Sequence, residues 1–335
     1  MDSLTHIALG ACIGEAILGH KIGKKALLIG ALAQSIPDVD FIESFWLSEA
    51  EQLIAHRGIT HSFFFIILIS PLLGLFFQRL LKNQVTLVSL TFFFLIELFV
   101  HVFLDAFNNY GVGWFEPFSS VRISFNTIYV ADVLMTIVPV IALIVLIILP
   151  SDNIKRKKWS QFGIAWSWVY LCICIFNKVY ITYQVNNSFT SQKITQATYF
   201  TTPAPLQSML WMLVAGDGKG FYVGYRSVFD TDPVIKFQYF PTNSQLLDSL
   251  SHHEEVHLLK RFSQGYYTVE KWSDTLVFND LRFGQIIGWQ DPKEKFVFHY
   301  FLQHPGGNRL VVQRGRFAKW DLKAIRVFLK RIAGK

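Results

Sequence analysis

The sequence predicts a polytopic α-helical membrane bundle of about six helices, the first two short, followed by a C-terminal α+β domain. Three observations carry that reading. Of 335 residues, 52% are hydrophobic and only 16% charged, and mean hydropathy is positive, a membrane-protein composition. Apolar runs of roughly 20 residues recur through the first half, each long enough to cross a bilayer core. After residue 184 they give way to alternating apolar and polar segments, the period of half-buried strands. The chain is therefore divided into residues 1–183, embedded in the membrane, and 184–335, a separate domain.

Taken in order, residues 3–19 and 25–37 are short and rich in Gly and Ala. Gly10-x-x-x-Gly14 permits close helix packing, so these two helices are expected inside the bundle without full spanning. The first residues do not read as a cleavable leader, because their lysines follow the apolar stretch instead of preceding it. Residues 61–81, 86–104 and 128–149 are spanning helices, and 160–180 is apolar and aromatic enough to be a fourth. Beyond 184, residues 220–229, 234–240, 265–272 and 296–302 alternate as strands, while 245–262 and 320–332 have helical periodicity. That mixture is an α+β layer.

Orientation follows from basic loops. Lys21, Lys24 and Lys25 join the first two helices, Arg79 and Lys82 end the third, and Lys155 to Lys158 precede the sixth. An alternating path gathers all three groups on one face, expected to be cytoplasmic, and sends the C-terminal domain to the outside. Charge is uneven: residues 1–183 carry 12 basic and 12 acidic side chains, and residues 184–335 carry 19 and 12, which accounts for the whole +7. A basic outer domain suits an anionic membrane surface, although ordinary surface lysines account for it as well. No basic run with interleaved aromatics stands out, so nucleic acid is not an expected partner. Cys12, Cys172 and Cys174 all lie in apolar stretches and suggest neither a disulfide framework nor a thiolate zinc site.

The chemistry-bearing residues cluster at breaks between apolar stretches: His6, Asp38 and Asp40, His56-Arg57-Gly58-Ile59-Thr60-His61-Ser62, and His101-x-x-x-Asp105. Ionisable groups in or beside spans are costly and mark function. Imidazole mixed with carboxylate is the usual ligand set for zinc and related metals. His101 and Asp105 share one helix face, with Glu97 a turn earlier; a hydrogen bond between helices is the plain alternative for that pair. Asp38, after Pro37, has the alternative of capping a helix start. HRGITHS could be a surface loop, but His61 begins an apolar helix, where a charge is expensive. His6 alone would be a packed histidine, yet the topology sets it on the same face as the rest. Asp132, read as lying inside the fifth helix, is a further acid on that half, and Glu15 lies nearer the opposite end. In the distal domain, His252, His253, Glu254, Glu255 and His257 are explained by an amphipathic surface helix.

These motifs carry a resemblance. MDSLTH, SIPDVD, HRGITHS, HVFLDAFNNYG, EPFS and Asp132, in that order across residues 1–150, resemble the membrane-bound, metal-dependent hydrolases of the LexA-regulated, YdjM-like inner-membrane family. The tail, with PAPLQSMLW, GFYVGYRSVFD and DLRFG, is similar to the extension of a longer subgroup. A more distant similarity runs to the zinc-dependent phospholipase C and nuclease superfamily. It implies that His101 and Asp105 are metal ligands, with Asp105 bridging two ions, and that His6, Asp38 or Asp40, His56 and His61 supply the others. The superfamily's later His-containing ligand run has no match here, which points away from a three-metal cluster.

The expectation is a membrane-embedded hydrolase with one or two divalent transition metal ions, zinc foremost, at the outer face of a bacterial cytoplasmic membrane. Its substrate would be a lipid or lipid-linked molecule, cut at a phosphoester bond. Asp38 or Asp40 would act as general base and Arg57 would hold a phosphate oxygen. No G-x-S-x-G occurs, so the serine-hydrolase signature is missing. His253-Glu254-Glu255-Val256-His257 has the HExxH spacing and is read as part of the amphipathic surface helix. The alternative is a non-enzymatic metal-binding membrane protein, a transporter or scaffold, for which Glu15 and Glu97 would be acids along a path.

Overall fold

The computed structural model describes residues 1–192, 198–250, 254–303, 308, 317 and 319–335. The chain forms two compact units, Met1–Glu43 with Ala55–Cys174, and Ser44–Ile54 with Ile175–Lys335.

The first unit is helical: α1 (Ser3–Ile22), α2 (Lys25–Ser35), α4 (Phe63–Leu80), α5 (Leu87–Asp105), α6 (Val133–Ile148) and the first half of α7 (Lys155–Gln192). The short helix α3 (Glu49–Ala55) falls mostly in the other unit. Three helices are long and apolar enough to cross a membrane, α4, α5 and α7. α6 is apolar but has only 16 residues. The expected span over 128–149 is shortened because Asp132 is not inside the helix: it is the N-cap, accepting from the amides of Leu134 and Met135 and from the Tyr170 hydroxyl. α4 buries little and exposes Phe64, Ile67, Leu68, Leu72 and Phe76, the surface a lipid-facing helix presents. Pro71 in α4 and Pro139 in α6 sit within helices, as membrane spans tolerate.

α1 and α2 meet at glycines. A Cβ on Gly10 would lie 2.4 Å from Gly30 O, and one on Gly14 2.2 Å from Ala26 O, so the backbones touch only because these positions lack side chains. Leu18 and Ile22 of α1 pack with Leu81, Val85 and Leu90 at one end of the bundle. At that end Lys24 Nζ donates to Ile147 O. Arg156 clamps Glu15 with two bonds of 2.8 and 2.6 Å and donates to the carbonyls of Leu146 and Leu149. Because α1 is 20 residues long, about 30 Å, its His6 end lies far from these basic loops. The basic residues and the His/Asp motifs thus occupy opposite ends of the bundle.

The second unit contains two antiparallel sheets. One has the order β1 (Thr198–Pro203), β2 (Leu210–Gly216), β3 (Gly220–Ser227), β4 (Phe237–Pro241); the other has β5 (Tyr267–Trp272), β6 (Thr275–Gln285), β7 (Phe296–Phe301). Among the described residues this unit also carries helices α8 (Glu254–Phe262) and α9 (Leu322–Ile332), which bears out the mixed α and β content. β2 was not expected, because LWMLVA is continuously apolar. It is buried along its whole length: Trp211, Leu213 and Ala215 pack on Ile181, Val185 and Phe189 of α7, and Met212 and Val214 pack with Leu281 and Phe296 of the other sheet. A strand covered on both faces has no alternation to read.

Candidate metal centre

Four elements bring the site together. Asp38 and Asp40 lie in a 3-10 turn that Pro37 opens. His61 ends a second 3-10 turn after Arg57, whose φ of 64° reverses the chain as αL residues do. His101 and Asp105 lie one turn apart on α5, and His6 comes from the first turns of α1. Ligand atoms of Asp38, His61, His101 and Asp105 all fall within 4.8 Å of one another. Three of the four side chains are buried, and Asp38, a quarter exposed, marks the mouth.

The hydrogen bonds around these imidazoles fix which nitrogen faces inward. His101 Nδ1 is 2.6 Å from Gln34 O. A carbonyl only accepts, so Nδ1 carries the proton and Nε2 a lone pair. His61 Nδ1 is 3.0 Å from Thr60 Oγ1, which itself donates to Asp40 Oδ2 at 3.2 Å. Again Nδ1 is the donor and Nε2 is bare. His6 Nδ1 meets Gln34 Oε1 at 3.1 Å while Gln34 Nε2 donates to Glu97 O, so His6 follows the same pattern. The bare Nε2 atoms of His61 and His101 lie 3.3 Å apart, and each is 3.5 Å from Asp38 Oδ1. Asp105 Oδ2 is 3.5 Å from His61 Nε2 and 3.8 Å from His101 Nε2, and Oδ1 is 3.2 Å from His6 Nε2. Lone pairs and carboxylate oxygens crowded without protons between them repel. A cation reconciles them, and two imidazoles with two carboxylates are a donor set that fits zinc or a similar ion.

The remaining expected residues stand around this quartet. His6 stacks on His101 with ring centroids 3.8 Å apart and points its Nε2 at Asp105 Oδ1. Asp40 is turned away from the centre: its oxygens take the Arg57 amide at 2.8 Å, Thr60 Oγ1, and His56 Nδ1 at 2.9 Å. His56 is 42% exposed and is not within the quartet. Arg57 is buried, lies over the Tyr110 ring, and has Nε 3.0 Å from Asp105 Oδ2 at ion-pair distance without hydrogen-bonding angle. The Met1 backbone nitrogen also contacts Asp105. Burial pushes the His61 imidazole down to about 3, with Asp38 pulling the other way. For Asp40, burial is outweighed by His56, His61 and the Arg57 amide, which hold it below the usual carboxylate range.

Sequence reading passed over Gln34, Thr60 and Tyr110. Gln34 is wholly buried; its side-chain amide meets His6 and the Glu97 carbonyl of α5, and its main-chain carbonyl receives His101. Its signal was there: an amide alone in the Gly/Ala-rich apolar run 25–35 needs a polar partner on another helix. His257 lies on α8, in the second unit, and His252 and His253 lie outside the described residues.

Fold and site together define a polytopic membrane protein with a buried His/Asp cluster suited to a metal ion. The chain belongs to the YdjM inner membrane protein family, which it matches over residues 1–185. It is similar to the inner membrane protein YbcI of Escherichia coli, 31% identical over 121 residues, 36% of this chain and 69% of that protein. It is also similar to an uncharacterized protein, YfhP, of Bacillus subtilis, 32% identical over 143 residues, 39% of this chain and 42% of that protein. The chain thus spans less than half the length of YfhP. No solved structure matches significantly.

Proposed function

We propose that the protein is a metal-dependent hydrolase of the bacterial cytoplasmic membrane, acting on a lipid or lipid-linked substrate at a phosphoester bond. The observation that carries this reading is the convergence of two unprotonated imidazole nitrogens and two carboxylates, with Asp38 at the opening. A divalent ion held there supplies Lewis acidity, acidifying water and polarising a substrate oxygen. Asp105 uses both oxygens, one toward His61 and His101 and the other toward His6, which supports a bridging role if two ions bind. Arg57 steadies the Asp105 charge and offers a guanidinium to a phosphoryl oxygen.

For proton transfer the geometry favours a division between the two aspartates. Asp40 is engaged on both oxygens, so its part is to orient His56 and His61. The His56 ring, tied through Nδ1 to Asp40 and exposed on its other side, is placed to accept a proton at the mouth. Its centroid is 6.2 Å from that of His61. Asp38 remains the ligand nearest to substrate.

Transport or scaffolding is the second reading. Glu15 no longer supports it, since Arg156 neutralises that acid. Glu97 does, because it is an acid wholly buried in the apolar helix α5 with no cation paired to it among the described residues. Metal analysis of purified protein, followed by hydrolysis assays on phospholipid headgroup esters, separates the two. Bound metal with headgroup release that Asp38→Asn and His56→Ala abolish supports the hydrolase. Bound metal with no turnover of any phosphoester leaves the non-enzymatic reading.

A further inference from the structure

The second unit has a cavity of about 420 Å³ between the end of β3, the start of β4, the loop after β6 and the end of α9. Arg226, Lys236, Trp289, Arg331 and Lys335 line it, with Asp230 and Asp232 as the acidic side chains. Asp230 is spent: Arg331 grips both of its oxygens. Asp232 Oδ1 accepts from the Val234 amide. Arg226 is different. It is only 3% exposed, and among the described residues its guanidinium meets oxygens of the Asp232 and Asp230 carbonyls and the Gln184 amide, no carboxylate. Two of those contacts are long, at 3.4 Å, and its Nε has no partner. A buried cation without a counter-charge is costly. Trp289, 8% exposed on the same wall, likewise has an indole N–H with no acceptor. Lys236, exposed at the rim, adds a further positive charge.

We propose that this cavity binds a small oxyanion ligand, phosphate or a phosphate ester, with Arg226 and Trp289 as buried donors and Lys236 at the rim. The donors come from three separate segments and so surround a tetrahedral anion, whereas a planar carboxylate would be satisfied by one guanidinium fork. The volume exceeds that of a bare phosphate and leaves room for an ester group. The cavity belongs to the second unit and the metal quartet to the first, and oxyanion binding there does not depend on the hydrolase reading.

Calorimetric titration of the full chain in detergent tests this, with inorganic phosphate, glycerol 3-phosphate and succinate as probes. The expected result is saturable binding of phosphate or glycerol 3-phosphate, one per chain. It should be weakened about tenfold or more in Trp289→Phe and in Lys236→Gln, and lost in Arg226→Met. The two milder variants keep the test decisive should Arg226→Met fail to fold. Tighter binding of glycerol 3-phosphate assigns an esterified source such as a lipid headgroup; equal or weaker binding assigns the free ion. The same titration after chelator treatment must give the same affinity, which separates this site from phosphate held by metal in the bundle. No saturable binding up to on the order of 10 mM, affinity unchanged in both milder variants, loss of binding with the metal, or succinate binding as tightly as phosphate each overturns the proposal.

Discussion

His6, His61 and His101 each spend Nδ1 on a fixed acceptor and turn Nε2 toward Asp105, so the site's chemistry is decided by partners that are not ligands. Two predictions belong to this scale. His101→Ala or Asp105→Ala should empty the site of metal while the protein still inserts; elemental analysis of purified variants checks this, and undiminished metal in both refutes the assignment. Gln34→Ala, which keeps the main-chain carbonyl that receives His101 Nδ1 but removes the side-chain acceptor of His6 Nδ1, should weaken metal affinity by about 10-fold through loss of His6 orientation. Acid should also destabilise the metal-free protein. The folded-state His61 value is depressed to about 3, so between its ordinary value near 6.5 and 3 the unfolded chain binds the extra proton. Stability is then complete above about pH 6.5 and falls as pH drops toward 3. Asp40, also depressed, acts in the same direction at the lower end. Unfolding in detergent across that range measures it, and stability that rises on acidification contradicts a neutral, buried His61.

Helices are held by contacts that do not involve the metal centre. The Glu15–Arg156 pair ties α1 to the start of α7 far from His6. Glu15→Ala leaves Arg156 buried and unpaired and should cost about 3–5 kcal/mol, whereas Glu15→Leu with Arg156→Met should recover most of that loss. Thermal unfolding of the single and double variants distinguishes an ion clamp from incidental contact. The glycine seam between α1 and α2 works by a different principle, steric absence. It brings His6 and Gln34, on neighbouring helices, within reach of the same α5 stripe.

In the molecule as a whole, the two ends of the bundle differ in charge. Basic loops at one end and His/Asp motifs at the other are the arrangement that the positive-inside rule converts into an extracytoplasmic site. Single cysteines at Ser119, on the motif end, and Asn153, on the basic end, should show opposite accessibility to an impermeant reagent in intact cells, with Ser119 labelled. Labelling of Asn153 alone inverts the topology and places the site at the cytoplasmic face. The quartet lies wholly in the helical unit, so His257→Ala and His299→Ala should leave metal content unchanged. Loss of metal in either would mean that the second unit supplies a ligand.

Helix positions, the polar α5 stripe and the gathering of His6, Asp38, His61, His101 and Asp105 at one end were legible because a bilayer imposes its own pattern. Apolar length, basic loops and the cost of ionisable groups near lipid all leave marks in one dimension. The same marks did not separate Asp38 from Asp40, since two acids two residues apart in a 3-10 turn differ only in which way the turn rotates them. They did not rank His56 below His61, or show that Asp132 starts α6 and that Glu15 is neutralised. Nor did they reveal β2, buried on both faces, or the carboxylate-free guanidinium of Arg226. Each of those depends on a partner remote in sequence, and a hydrogen bond or ion pair exists only where folding has brought both of its ends together.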